Sequence, residues 1–392
     1  MASRIRTALL GLAIGLFVLL ALLFYALPTI VETSANRLTR APLPAPSDSA
    51  QDFHETIWIA DLHADALLWN RDLLQRAGRG HVDIPRLIEG NVALQAFTIV
   101  SKTPLGLNFE NNDDKTDMIT ALAIFQRWPI AAWFSLKERA LFQAKKLFEF
   151  AARSQGQFSV ITSKRELETY IALREKTPGI TAGFLGIEGA QVLEGNLDNL
   201  DMLFDAGFRM MSPSHFFDTD VGGSAHGIQK GGLTDFGRRV IQRMEELGMI
   251  VDLAHASLQT IDDVLTIATR PAVVSHTGVR GVCNTVRNLS DEHLKAIAAA
   301  GGIIGIAYFD GATCGHDIDA IVKTIRYAVD VVGPEHVALG SDFDGAVTTP
   351  FDAAGILYLT DALLKAGFSM SDIKLIMGEN VRQILLQLLP DE

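Results

Sequence analysis

From about residue 52 onward, short apolar runs alternate with longer stretches whose apolar residues recur every three or four positions. The first pattern predicts buried strands, the second amphipathic helices. Strands are expected at Ile57–Ala60, Ala93–Val100, Thr181–Ile187, Arg209–Ser212, Ile250–Leu253, Ala272–Ser275, Ile303–Ala307 and Val337–Gly340. Helices are expected at Lys115–Gln126, Lys137–Ala152, Leu197–Ala206, Asp235–Leu247, Ser257–Thr266, Asp291–Ala299, Ile318–Val331, Thr360–Ala366 and Ser371–Leu388. Cap signals agree: Thr234-Asp235 opens the helix that stops at Gly248, and Ser290-Asp291-Glu292 opens another. Strands that alternate with helices imply a parallel sheet with right-handed crossovers. Eight is the number that closes a (β/α)8 TIM-like barrel. An open doubly wound sheet is the second choice, but no Gly-rich phosphate loop follows the first strand.

The N-terminus breaks this pattern. Arg4 and Arg6 precede an uncharged apolar run from Ala8 to Val31. Its length, about 24 residues, suffices to cross a ~30 Å hydrocarbon core as a helix. A secretory signal has a shorter core and a small-residue cleavage site, which is not evident here. The expectation is an uncleaved transmembrane signal anchor over 8–31, with 1–7 cytoplasmic. A Pro-rich spacer over 32–51 follows, including Ala41-Pro42-Leu43-Pro44-Ala45-Pro46, and then one barrel domain over 52–392. The protein is thus expected to be membrane-anchored with its catalytic domain extracytoplasmic, periplasmic if bacterial. Arg37 and Arg40, after the span, weaken that orientation.

Composition narrows the function. Of 392 residues, 48% are hydrophobic and 20% charged, so a large core can form. A formal charge of −12 argues against nucleic acid as a partner. The two cysteines, Cys283 and Cys314, exclude a disulfide framework or a Cys-X-X-Cys metal knuckle. Two buried free thiols are expected rather than a bridge.

Chemistry gathers at strand ends. The first strand runs into Asp61-Leu62-His63-Ala64-Asp65. Positions two apart share a face, so His63 and Asp65 can aim at one point. In a barrel the C-terminal strand ends form the active face. There the third strand meets Glu188, the fourth His215, the fifth His255, the sixth His276 and the eighth Asp342. These nitrogen and oxygen donors suit Zn2+, with Mn2+, Co2+ or Fe2+ open. Their supply exceeds one ion's needs, so two metals sharing a carboxylate fit better. Asp61 shares the strand face one pleat deeper and is read as structural support.

These segments resemble the membrane (renal-type) dipeptidases, a branch of the metal-dependent amidohydrolases. The resemblance runs from His63 to Gly378-Glu379-Asn380-Val381-Arg382. Its most specific parts are Gly186-Ile187-Glu188-Gly189, Gly231-Gly232-Leu233-Thr234-Asp235-Phe236-Gly237, Asp252-Leu253-Ala254-His255, Ser275-His276, Arg287-Asn288-Leu289 and Gly340-Ser341-Asp342-Phe343-Asp344-Gly345. It implies two Zn2+ per chain, with His63 and Asp65 on one ion, His255 and His276 on the other, and Glu188 bridging. It also implies that His215 faces the substrate and stabilises the oxyanion, that Arg287 grips the terminal carboxylate, and that Asp342 handles the proton and meets the substrate amine. The implied reaction is zinc-dependent hydrolysis of dipeptides by a metal-bridged hydroxide. The alternative is a related binuclear amidohydrolase acting on another amide, lactam or ester. A tethered, non-enzymatic barrel is the weakest reading, because no ligand is missing.

Several residues stay open. Asp344, two after Asp342, competes for the proton role. Phe216 and Phe217 suit either an apolar subsite or core packing, and His226 is an outside candidate for substrate contact. The insert from Lys102 to Gln157, with Trp128, Trp133 and Phe134, suits a lid or a dimer surface, which leaves a homodimer open. His54, His81, His293, His316 and His336 are read as non-catalytic.

Overall fold

All eight expected strands form, and they share one parallel sheet. In the computed structural model, which describes residues 2–39 and 43–392, they are β1 (Ile59–Ala64), β2 (Val92–Val100), β3 (Thr181–Glu188), β4 (Phe208–Met211), β5 (Ile250–Val251), β6 (Val273–Thr277), β7 (Ile303–Ile306) and β8 (Val337–Leu339). The hydrogen-bonded order is β5-β4-β3-β2-β1-β8-β7-β6. A short strand, Phe158–Val160, also pairs with β3. Residues in β1, β2 and β3 are buried throughout, as expected of a parallel sheet covered on both faces. The sheet curls until its end strands meet at one parallel bridge, Asp252 to Val273, where the Leu253 N–H reaches the Val273 carbonyl at 2.7 Å.

The expected (β/α)8 barrel with a transmembrane helix before it is therefore corrected twice. The sheet is TIM-like but curled, with a single bridge where a full ladder was anticipated. The second correction concerns the anchor. The apolar run does lie in a helix, Ala2–Ala35, but among the described residues no helix is long and apolar enough to cross a membrane. Part of this helix is instead used for packing within the protein. Its C-terminal part docks on the body: Phe24 packs against Phe125 with centroids 5.1 Å apart, the Tyr25 ring takes the Arg127 guanidinium at 4.5 Å, and Glu32 is buried. Pro28 also sits inside the helix. With the anchor goes the expected extracytoplasmic placement, which rested on it. The side chain of Arg4 and all of Arg40, Ala41 and Pro42 lie outside the described residues.

Local sequence explains the elements that position the site. Asp235–Leu247 begins where the Thr234 hydroxyl accepts the Gly237 N–H at 2.9 Å, and it ends at Gly248, whose φ of 78° is left-handed. Glycine also lets the sheet close tightly at β6. A Cβ on Gly305 or Gly340 would collide with the Ser275 carbonyl, one residue before His276. The expected helix Ser371–Leu388 is instead interrupted by a π turn, Leu375–Glu379. There Gly378 lies against the backbone of Trp58 to Ala60, which leaves no room for a side chain.

The two cysteines are bonded to each other, which corrects the expectation of free thiols. The loops after β6 and β7 converge, bringing the Cys283 and Cys314 Cα atoms within 5.3 Å.

Candidate metal centre

β1 delivers His63, and Asp65 follows just past its end. Glu188 is the last residue of β3, His276 lies within β6, and Asp342 follows β8. His215 and His255 come from the segments after β4 and β5. Glu188 is the hub. Its Oε1 lies 2.8 Å from His255 Nε2, 3.5 Å from His276 Nε2 and 3.6 Å from His63 Nε2. Its Oε2 lies 3.1 Å from His215 Nε2. His63 Nε2 is also 3.6 Å from Asp65 Oδ1 and 3.9 Å from Asp342 Oδ1. Arg287 approaches from the β6 side, where its Nη2 donates to the His276 carbonyl at 2.5 Å.

Burial makes this cluster costly without a cation. All eight side chains lie in the interior. Burial lifts Glu188 well above the usual carboxylate range, and Asp65 adds to the push. Burial likewise raises Asp342 to about 8, against the pull of His63. Burial would lower His63, but Asp65 and Glu188 overcome it and hold the imidazole up at about 10. His215, His255 and His276 are driven well below their ordinary value, first by burial.

Three overlapping sets of donors could each hold a metal ion: His63–Glu188–His276, Glu188–His215–His255, and His63–Asp65–Asp342. The fit can be tested on the side chains themselves. His63 Nε2 is buried without a hydrogen-bond partner, and His255 Nε2 faces His276 Nε2 at 3.0 Å. Imidazole lone pairs turned toward one another beside a carboxylate, with no sulfur present, are a donor set that fits a divalent transition-metal ion.

Supporting groups orient these donors. The Ser275 hydroxyl is 3.2 Å from His63 Nδ1 and 3.0 Å from His276 Nδ1. An oxygen that accepts both Nδ1–H groups leaves both Nε2 lone pairs facing inward. The Thr98 hydroxyl donates to Asp65 Oδ1 at 2.8 Å. Asp252 Oδ1 accepts the Ser275 N–H at 2.8 Å. Asp61 sits below the centre as expected, accepting the Ser341 N–H at 2.8 Å and the Ser341 hydroxyl at 2.5 Å. Ser275, Thr98 and Asp252 were not anticipated as supports. Asp252 and Ser275 had a sequence signal, since they belong to the Asp252-Leu253-Ala254-His255 and Ser275-His276 segments, whereas Thr98 had none.

The remaining candidates separate cleanly. Asp344 is saturated by Arg71, the His81 N–H and the Val82 N–H. Phe216 stacks on His215 with ring centroids 3.8 Å apart, whereas Phe217 is buried under Lys102. His226 is buried, its ring 5.2 Å from that of His255, and its Nδ1 meets the Phe109 carbonyl at 2.7 Å. The insert thus reaches the site rim, and the Asn112 N–H binds the His226 carbonyl at 2.8 Å. Trp128 in the same insert is core, whereas Phe134 is exposed. His54 and His336 bond to main-chain carbonyls elsewhere.

Comparison with known proteins points the same way. The family model described as membrane dipeptidase (peptidase family M19) matches residues 47–388. Dipeptidase aclJ of Aspergillus oryzae is 32% identical over 219 residues, 53% of this chain and 52% of that protein, so the match spans about half of the relative's length. A solved structure titled dipeptidase AC, a metallopeptidase of family M19, superposes with a TM-score of 0.70 at 25% identity. It covers 86% of this chain and 100% of that one. A metallopeptidase from Rhodobacter sphaeroides, solved with a phosphinate mimic of the dipeptide L-Ala-D-Ala, gives 0.70 at 26% identity over 85% of this chain and 99% of that one.

Proposed function

The chain belongs to the membrane dipeptidase family, peptidase family M19, as a dipeptidase-like metallopeptidase, and we propose that it hydrolyses dipeptides at a binuclear zinc centre built on Glu188. The observation that carries this reading is the Glu188 carboxylate, ringed by four imidazoles through both of its oxygens. His63 and Asp65 would hold one ion, His255 and His276 the other, with Glu188 between them. Bound zinc supplies Lewis acidity at the scissile carbonyl and brings the ionisation of water down toward neutral pH.

The chain's own residues do the rest. Arg287 binds the free terminal carboxylate. Its Nε–H is buried and unpaired, so a carboxylate that meets it removes an unsatisfied donor. A longer peptide lacks that charge at that point, which restricts the substrate to two residues. His215, beside Glu188 Oε2, orients the carbonyl oxygen and steadies the charge that grows on it. Asp342, with Oδ1 3.9 Å from His63 Nε2 at the edge of the centre, takes a proton from the attacking water and gives it to the leaving amine. The Rhodobacter sphaeroides relative was solved with a phosphinate mimic of the dipeptide L-Ala-D-Ala, which supports a dipeptide as the substrate class here.

The test compares a dipeptide with its C-terminal amide. The amide should be hydrolysed at least about 10²-fold less efficiently, and Arg287→Ala should erase most of that difference. Equal rates on acid and amide would sink the carboxylate-reading role. Chelation should abolish activity and zinc should restore it. Retained activity in a Glu188→Ala protein would overturn the centre itself.

A further inference from the structure

The segment just before the family-matched region is built into the loop that carries Asp342. That loop is strained: Asp342, Asp344 and Ala346 have φ of 61°, 63° and 62°, a left-handed conformation that L-residues rarely adopt. It must be held from outside, and residues 32–39 hold much of it. Glu32, on the N-terminal helix, is 1% exposed and pairs with Arg71 and with Arg79, the latter at 2.6 Å. Arg71 passes that hold on by pairing with the Asp344 carboxylate. Asn36 Oδ1 accepts the Ala346 N–H at 2.9 Å. The Arg37 N–H reaches the Val347 carbonyl at 3.0 Å, and Arg37–Leu38 pairs in parallel with Thr348–Thr349. His81 joins the two sides. Its Nδ1 accepts the Asp344 N–H at 3.0 Å, and its Nε2 donates to the Arg37 carbonyl at 3.0 Å.

We propose that residues 32–38 are a positioning element for Asp342, with Glu32 acting through Arg71 and Asp344, and Asn36 acting through the Ala346 backbone. The family match begins at residue 47, so this element is supplied by sequence outside it. The inference rests on the proton role given to Asp342 above. Glu32 and Asn36 touch neither substrate nor metal. They fix where the Asp342 carboxylate stands, and proton transfer is sensitive to displacements of the order of an ångström.

The test uses the full chain with its metals bound. Glu32→Ala should lower kcat on a dipeptide about ten- to a hundredfold while KM stays within about threefold and zinc content is unchanged. Glu32→Gln, which keeps one hydrogen-bond acceptor, should fall between. In an Asp342→Asn background, adding Glu32→Ala should lower kcat less than about twofold further, because residues acting as a unit are not additive. A folded Glu32→Ala protein with wild-type kcat would overturn the proposal, as would the full loss repeating in the Asp342→Asn background. Should Glu32→Ala fail to fold, Asn36→Ala and Glu32→Gln decide: wild-type kcat in both overturns it, and a kcat loss confined to the Asp342 wild-type background supports it. An unimpaired Asp342→Asn protein would instead overturn the proton role, and this inference with it.

Discussion

The Ser275 hydroxyl lies within hydrogen-bond range of Nδ1 on both His63 and His276, whose Nε2 atoms flank Glu188. Ser275→Ala should therefore weaken zinc binding about 10- to 100-fold, as measured by competition with a chelator, while the melting of the metal-free protein barely moves. Unchanged affinity would remove Ser275 from the centre. A pH effect follows from the carboxylates and imidazoles. Asp342 is raised to about 8 and His63 to about 10. Above pH 7 the folded, metal-free protein therefore keeps protons that the unfolded chain has already released. Binding more protons at these two sites when folded means that their contribution to stability falls as pH rises through the window from 7 to 10, against a smaller opposite trend from buried Lys146, which is lowered to about 7. Calorimetry of the metal-free protein at pH 7 and pH 9 should show the lower melting temperature at pH 9, and the reverse order would contradict the assignment. Zinc should flatten the difference, because the metal takes the place of those protons. At this scale the strand-end donors were legible, since period-two alternation and the run ends place them. Ser275 and Thr98 were not: their hydroxyls matter only through neighbours brought together by folding, 212 residues away in sequence for Ser275 and His63.

Strands were read well because each is a short apolar run bounded by polar ends. Helices with weak amphipathic contrast escaped, among them Lys164–Arg174 and Ile84–Glu89, whose register is set by caps at Ser163 and Asp83 and not by an apolar stripe. The disulfide escaped for a different reason: nothing in the spacing of Cys283 and Cys314 reveals that the loops after β6 and β7 meet. That bond lies four residues before Arg287, and Asn288 ties the same loop to both sides, its Nδ2 donating to the Cys283 and Ala312 carbonyls at 2.7 and 2.9 Å. If Arg287 reads the terminal carboxylate as proposed, replacing both cysteines by serine should raise KM for dipeptides by about tenfold or more and leave KM for the C-terminal amide unchanged. A parallel change for both substrates would assign the bond to general stability.

For the molecule as a whole, the parallel sheet followed from the alternation of strands and helices, but its curled closure through a single bridge and the role of the N-terminus did not. Hydropathy registers how apolar a stretch is and not what covers it. It therefore could not foresee Phe24 and Tyr25 packing on Phe125 and Arg127, or Glu32 entering an ion-pair network. The left-handed backbone at His255 and Asp342 bears on how this protein can evolve. Both positions, φ 63° and 61°, are ones where glycine would be more comfortable than the residue present. Asp342→Gly should thus raise the stability of the metal-free protein by about 1 kcal/mol from backbone relief alone. Denaturant unfolding would measure it. Selection for thermal robustness and selection for turnover would then pull this codon in opposite directions, so that drift toward glycine here is a signature of a lineage whose barrel has outlived its chemistry.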